Sequence, residues 1–196
     1  MIIVVIGIIL AFWFGLRWGL NTDYPVLAVA SGSMSLPRDV PDPGWASPFS
    51  PTLHTGDLII IDGVNASQIH PGPPPVGDIL VFHVSPGSDE LIVHRAIGNT
   101  TIDGKFYFVT QGDNNDIPGP PGGGLVPVSS VVGKVVMRIP WFGYIALDMR
   151  NSTGILIIVI LIILFIVLES IVSEVQHRRT GKKEKQTNEE SKPTEA

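Results

Sequence analysis

Charged side chains are absent from two stretches of this chain. Residues 1–16 carry none, and Arg17 is the sole charge ahead of Asp23. Residues 155–168 are unbroken Ile, Leu, Val and Phe. The first run, 1–20, is just long enough to cross a hydrocarbon core of about 30 Å at 1.5 Å per residue, with Trp13 and Trp18 where an interfacial belt forms. The second extends to a 20-residue span, 153–172, when Glu169 snorkels, with Trp141 and Tyr144 as anchors ahead of it. Each run has a plainer reading. Ala28-Val29-Ala30 before Ser31 mimics a leader cleavage site, but no basic segment precedes the first run and about a dozen residues separate it from that site. The second run would otherwise be a buried core helix. Two retained membrane helices are the expectation.

Between them, residues 21–152 show no long helical period. Short runs rich in Val, Ile and Phe, bounded by Gly, Pro, Asn and Asp, predict strands at 57–62, 79–84, 91–97, 105–110 and 131–138. Long loops are expected at 37–50, 63–76 and 112–124. This pattern predicts a mainly β, antiparallel domain, a sandwich or barrel, set between an N-terminal and a C-terminal transmembrane helix. Beyond residue 172 come Arg178, Arg179, Lys182, Lys183 and Lys185 in a polar tail, 173–196, expected to be disordered. Basic residues favour the cytoplasmic side, so this tail lies inside and 21–152 lies on the extracytoplasmic face of a multi-pass cell-membrane protein.

Composition sharpens the choice of chemistry. The chain has 196 residues, 16% charged, and a net charge of −5. Residues 21–152 hold six Lys/Arg against twelve Asp/Glu, so nucleic acid is not an expected partner. With no cysteine, a disulfide framework, a thiolate zinc site and a cysteine nucleophile are excluded. Gly 21 and Pro 17 fit a loop-rich β domain.

The remaining nucleophiles are Ser, Thr and Lys. Ser31-Gly32-Ser33-Met34 follows the apolar stretch 25–30. In extended backbone Ser31 and Ser33 share a side, and Gly32 permits close approach. One hydroxyl could attack a carbonyl while the other, with a backbone N–H, holds the oxyanion. By itself such a tripeptide is more often an ordinary turn.

A serine needs a base at neutral pH. His54 and His70 fall in expected loops, His177 in the tail, and His83 and His94 on expected strands. His94 shares a strand face with Ile92 and Ala96, while Arg95 points the other way. A rigid imidazole with an ordinary pKa near 6.5 suits a general base, and a hydrogen-bonded structural histidine is the plainer alternative. Asp113 and Asp116, in Gly112-Asp113-Asn114-Asn115-Asp116, could orient such a base, or simply form a surface turn. The loop lacks the twelve-residue calcium pattern, so no metal is expected.

Ser31-Gly32-Ser33-Met34, Ile92-Val93-His94-Arg95 and Gly112-Asp113-Asn114-Asn115, in this order, resemble the type I signal peptidases. His94 stands where the bacterial branch has lysine, so the resemblance is to the archaeal and endoplasmic-reticulum branch. Pro51-Thr52-Leu53-His54-Thr55-Gly56-Asp57, Val132-Gly133-Lys134-Val135 and Ile139-Pro140-Trp141-Phe142-Gly143-Tyr144 extend it over about residues 24–165.

The resemblance implies a membrane-bound serine endopeptidase that removes signal peptides from exported preproteins through an acyl-enzyme. It implies Ser33 as nucleophile, Ser31 with the Ser33 amide as oxyanion hole, His94 as general base, and Asp113 and Asp116 as the acids that orient it. It implies no cofactor. Signal peptides and membrane lipids are the expected partners, with the protein-export channel a further candidate. Two departures stand out. Residues 36–50, fifteen in all, separate Ser35 from Pro51 where relatives run on directly. Position 119, where a second acid is usual, is Gly119. These departures are the support for the alternative, a noncatalytic membrane-anchored ectodomain that has kept the fold.

Overall fold

The computed structural model describes residues 2–36, 52–85, 87–116, 124–149 and 160. The chain divides into two compact units, 1–147 and 148–196, and the elements below belong to the first apart from the end of the last helix. A helix α1 (Ile2–Gly19) leads into seven strands: β1 (Val26–Ala28), β2 (Leu58–Asp62), β3 (Ile79–His83), β4 (Leu91–Ile102), β5 (Lys105–Gln111), β6 (Gly124–Pro127) and β7 (Val131–Ile139). A short helix α2 (Gly143–Asp148) follows. The strands form one sheet in the order β1-β2-β7-β3-β4-β5-β6, each neighbouring pair antiparallel.

All five expected strands are present. β4 runs five residues past its expected end at 97. Gly98 and Asn99 break the apolar pattern, but Thr100, Thr101 and Ile102 are β-branched and pair with Tyr107, Phe106 and Lys105 in turn. The hairpin closes at Asp103-Gly104, whose φ values of 50° and 75° are those of a primed two-residue turn. β1 and β6 were not expected as strands. Each has only three or four residues and lies at a sheet edge, too short for alternation to register.

The sheet is buried on both faces at its centre. Along β3, Ile79 and Val81 enter one core cluster with Val29, Met34, Leu53, Ile59 and Ile61. Leu80 and Phe82 enter a second with Ile69, Ala96, Phe108 and Val126. Successive side chains on a strand face opposite ways, so β3 reads as a continuous apolar run.

The first apolar run forms α1, 18 residues whose side chains from Val4 to Phe14 are exposed. Among the described residues no helix is long and apolar enough to cross a membrane. The expected span at 153–172, the loop 37–50, the tail and His177 lie outside the described residues, apart from residue 160.

Candidate active site

β1 delivers the serine segment. Val29, 5% exposed, donates its N–H to the Asp57 carbonyl at 2.8 Å and accepts from the Gly56 N–H at 2.9 Å. The chain then leaves the sheet and turns, with the Ser35 N–H donating to the Gly32 carbonyl at 3.1 Å. Met34, 1% exposed, plugs this turn into the first core cluster. The hydroxyls of Ser31 and Ser33 lie 3.3 Å apart. Ser31 is exposed and Ser33 half-buried. Among the described residues the Ser33 N–H donates to nothing.

The pair therefore meets, but through a turn rather than extended chain. Gly32 is not where space is short. A Cβ there would find its nearest neighbour, the Ser35 Oγ, at an ordinary 3.5 Å. The close approach is at Gly112, where a Cβ would lie 2.6 Å from the Ser33 carbonyl oxygen.

His94 lies opposite Leu80 in the β3–β4 ladder. It is 2% exposed and meets Phe82 edge-on, with ring centroids 6.3 Å apart. Its Nδ1 is buried with no hydrogen-bond partner among the described residues. Burial pushes its pKa below the ordinary histidine value, and the nearby Asp113 carboxylate pulls the other way. The other described histidines are engaged elsewhere. The Nδ1 of His54 lies 2.7 Å from Arg138, which also donates to Asp57 at 2.7 Å. His83 Nδ1 lies 2.6 Å from the Ser88 carbonyl, and His70 sits 3.6 Å from Asp78.

Asp113 gives its two oxygens to Arg95. Nε donates to Oδ1 at 2.8 Å and Nη2 to Oδ2 at 2.5 Å, in a pair 1% and 2% exposed. Arg95 Nη1 adds a bond to the Gly77 carbonyl at 2.5 Å. Asp113 thus reaches His94 by its field, and no hydrogen bond joins them among the described residues. Asp116 is exposed and makes no hydrogen bond or ion pair among the described residues. Nor does a hydrogen bond link Ser33 to His94.

Three residues were missed by sequence reasoning. Arg95 anchors the loop that carries Asp113 to the strand of His94. Gly112 makes room for the Ser33 carbonyl. Asn114 donates its N–H to that carbonyl at 2.9 Å and its Nδ2 to the Gly32 carbonyl at 3.4 Å. The signal available was adjacency, since Arg95 follows His94 and Gly112 and Asn114 flank Asp113. Among the described residues no group of three His, Cys, Asp or Glu side chains could hold a metal ion.

No protein-family model matches the chain. Curated proteins do. The signal peptidase complex catalytic subunit SEC11C of Homo sapiens is 29% identical over 147 residues, covering 72% of this chain and 66% of that protein. The catalytic subunit SEC11 of Metarhizium acridum is 28% identical over 139 residues, 69% of each chain. That of Schizophyllum commune is 29% identical over 162 residues, 72% of this chain and 73% of its own. This chain is a homologue of the signal peptidase catalytic subunits. They represent the endoplasmic-reticulum and archaeal branch of the type I signal peptidases, the branch to which His94 pointed. The match covers just under two thirds of the length of the mammalian subunits.

Proposed function

We propose that this signal peptidase homologue is a membrane-bound serine endopeptidase that cleaves signal peptides from exported preproteins. The observation that carries the reading is one loop, Gly112 to Asn115, tied on one side to the Ser31–Ser33 turn and on the other, through Arg95, to the strand bearing His94.

Ser33 Oγ attacks the scissile carbonyl while His94, kept neutral by burial, accepts its proton. The Ser33 N–H, without a partner among the described residues, and the Ser31 hydroxyl, 3.3 Å from the Ser33 hydroxyl, hold the oxyanion. The tetrahedral intermediate collapses to an acyl-enzyme as His94 protonates the leaving amine, and water then attacks with His94 again as base. Asp113 favours the imidazolium by Coulomb attraction from its place on Arg95. Asp116, free of other partners among the described residues, is the second acid that can act there.

α1 anchors the domain in this reading. Its side chains from Val4 to Phe14 are apolar and exposed, a surface suited to lipid. Ser33 lies 13 positions beyond Leu20, so even extended chain keeps it within about 45 Å of the lipid, where a signal peptide's cleavage site emerges. The basic tail is then cytoplasmic and the sheet extracytoplasmic, with lipids and the export channel as neighbours.

The test is processing of a preprotein by the full chain in proteoliposomes, comparing wild type with Ser33→Ala and His94→Ala. Loss of cleavage in both supports the reading. Undiminished cleavage in both overturns it in favour of a noncatalytic ectodomain.

A further inference from the structure

The Gly32 carbonyl and the Ser33 N–H belong to one planar peptide group. In a trans peptide they point in opposite directions, so whatever fixes the carbonyl also aims the N–H. Asn114 fixes it. Its Nδ2 donates to the Gly32 carbonyl at 3.4 Å, and its backbone N–H holds the next carbonyl, that of Ser33, at 2.9 Å. The Ser33 N–H is left pointing away from Asn114, without a partner among the described residues.

The loop that carries Asn114 is itself fixed. Asn115 donates its N–H to the Gly112 carbonyl at 3.0 Å, and Gln111 Nε2 donates to the Asn115 carbonyl at 2.6 Å. Asp113 pins the loop to Arg95. Asn114, by contrast, is exposed and sits in neither core cluster. Its two bonds go to the serine turn alone, so its side chain has little else to hold.

Resting on the peptidase reading above, we infer that Asn114 is a positioning residue of the oxyanion hole: it sets the direction of the Ser33 N–H by clamping the Gly32–Ser33 peptide. The inference concerns the transition state, where the oxyanion forms, and not substrate capture.

The experiment uses the full chain in proteoliposomes with a preprotein as substrate and a peptide aldehyde as transition-state mimic. Asn114→Ala keeps the backbone N–H and removes the side-chain donor. It is expected to lower kcat by about three- to ten-fold, the worth of one neutral hydrogen bond. The aldehyde's inhibition constant should rise by the same factor, because the adduct's oxyanion occupies the hole. KM, thermal midpoint and the acid limb of the pH profile should stay at wild-type values. Asn114→Asp keeps the shape but sets an acceptor against the Gly32 carbonyl, and should lose more than the alanine variant in both kcat and aldehyde binding. Wild-type kcat and inhibition in both variants would overturn the inference. So would a loss carried by KM, by lowered thermal stability, or by a moved acid limb in Asn114→Ala. Full cleavage by Ser33→Ala would instead bring down the peptidase reading, and this inference with it.

Discussion

Arg95 grips Asp113 with two parallel charge-assisted hydrogen bonds, 2.8 and 2.5 Å long, in a pair almost wholly out of water. A guanidinium matches a carboxylate in this geometry, and the fork restrains direction as well as distance. Because Arg95 follows His94 on β4 and Asp113 precedes Asn114, the pair joins the strand of His94 to the loop that meets the serine turn. Both Asp113 oxygens are thereby committed to Arg95, and its influence on His94 is by charge.

Removing either partner breaks a buried ion pair. Asp113→Ala is expected to lower stability by about 3–5 kcal/mol, because it removes a carboxylate that is doubly bonded to Arg95 in a low-dielectric setting. Combining it with Arg95→Met removes the other partner, so the double variant should lose much less than the sum of the singles. Urea unfolding of the four proteins measures this coupling. Additive losses would mean the pair is not a unit.

Buried His94 titrates below an ordinary histidine, chiefly through desolvation. The unfolded chain, with its pKa near 6.5, therefore binds a proton at pH values where the folded protein does not. Stability from this group is complete above about 6.5 and is lost as the pH falls from there through the lowered folded value. His94→Asn should flatten the stability profile in that window. As general base, His94 should also keep kcat/KM high below pH 6.5, with the acid limb displaced downward. Asp113→Asn removes the attraction that partly restores the pKa, so its acid limb should lie lower still. A limb that stayed in place would put His94 outside the influence of Asp113.

Gly112 is tested by adding one methyl group. Its Cβ would meet the Ser33 carbonyl oxygen at 2.6 Å and the Asn115 side chain at 2.9 Å. Backbone must yield, at a cost of about 1–3 kcal/mol for overpacking. Displacing the nucleophile turn should lower kcat by about ten- to hundred-fold, since misplacement by about 1 Å has effects of that order. Activity near wild type in Gly112→Ala would show that the turn tolerates the shift.

The sequence made the antiparallel domain and its five long strands legible because β-branched runs between Gly, Pro and Asp have few other uses. It also singled out the serine turn, His94 and the acidic loop. What it missed has a common physical origin. β1 and β6 are edge strands too short to alternate, and the contacts of Arg95, Gly112 and Asn114 are made across long sequence separation. Asn114 and Gly32 are 82 positions apart and Arg95 and Asp113 are 18 apart. No local pattern can say that a glycine's missing side chain is filled by a carbonyl from another segment. The partner of each carboxylate is likewise a tertiary property, which is why Asp113 could not be separated from Asp116 by reading alone.

Ala28-Val29-Ala30 resembles the small-x-small pattern ahead of a cut, so a chain of this type threatens its own Ala30–Ser31 bond. The fold argues against that cut. Ala28 pairs with Leu58 in the sheet, and Val29 is buried and bonded on both sides, to Gly56 and Asp57. A protease needs several consecutive residues in extended, accessible form, and here they are already committed to β2 and the turn before it. Purified protein held at neutral pH should therefore keep an intact Ala30–Ser31 bond, as read by whole-protein mass. Gly56→Val should release the protection. Gly56 has φ of +89°, and a Cβ there would fall 2.1 Å from the Tyr144 ring, so a β-branched residue must displace the turn that holds Val29. Fragments beginning at Ser31 should then accumulate in this variant and be absent when Ser33→Ala is added. Cleavage of the wild-type chain at the same bond would show that the docked strand offers no protection.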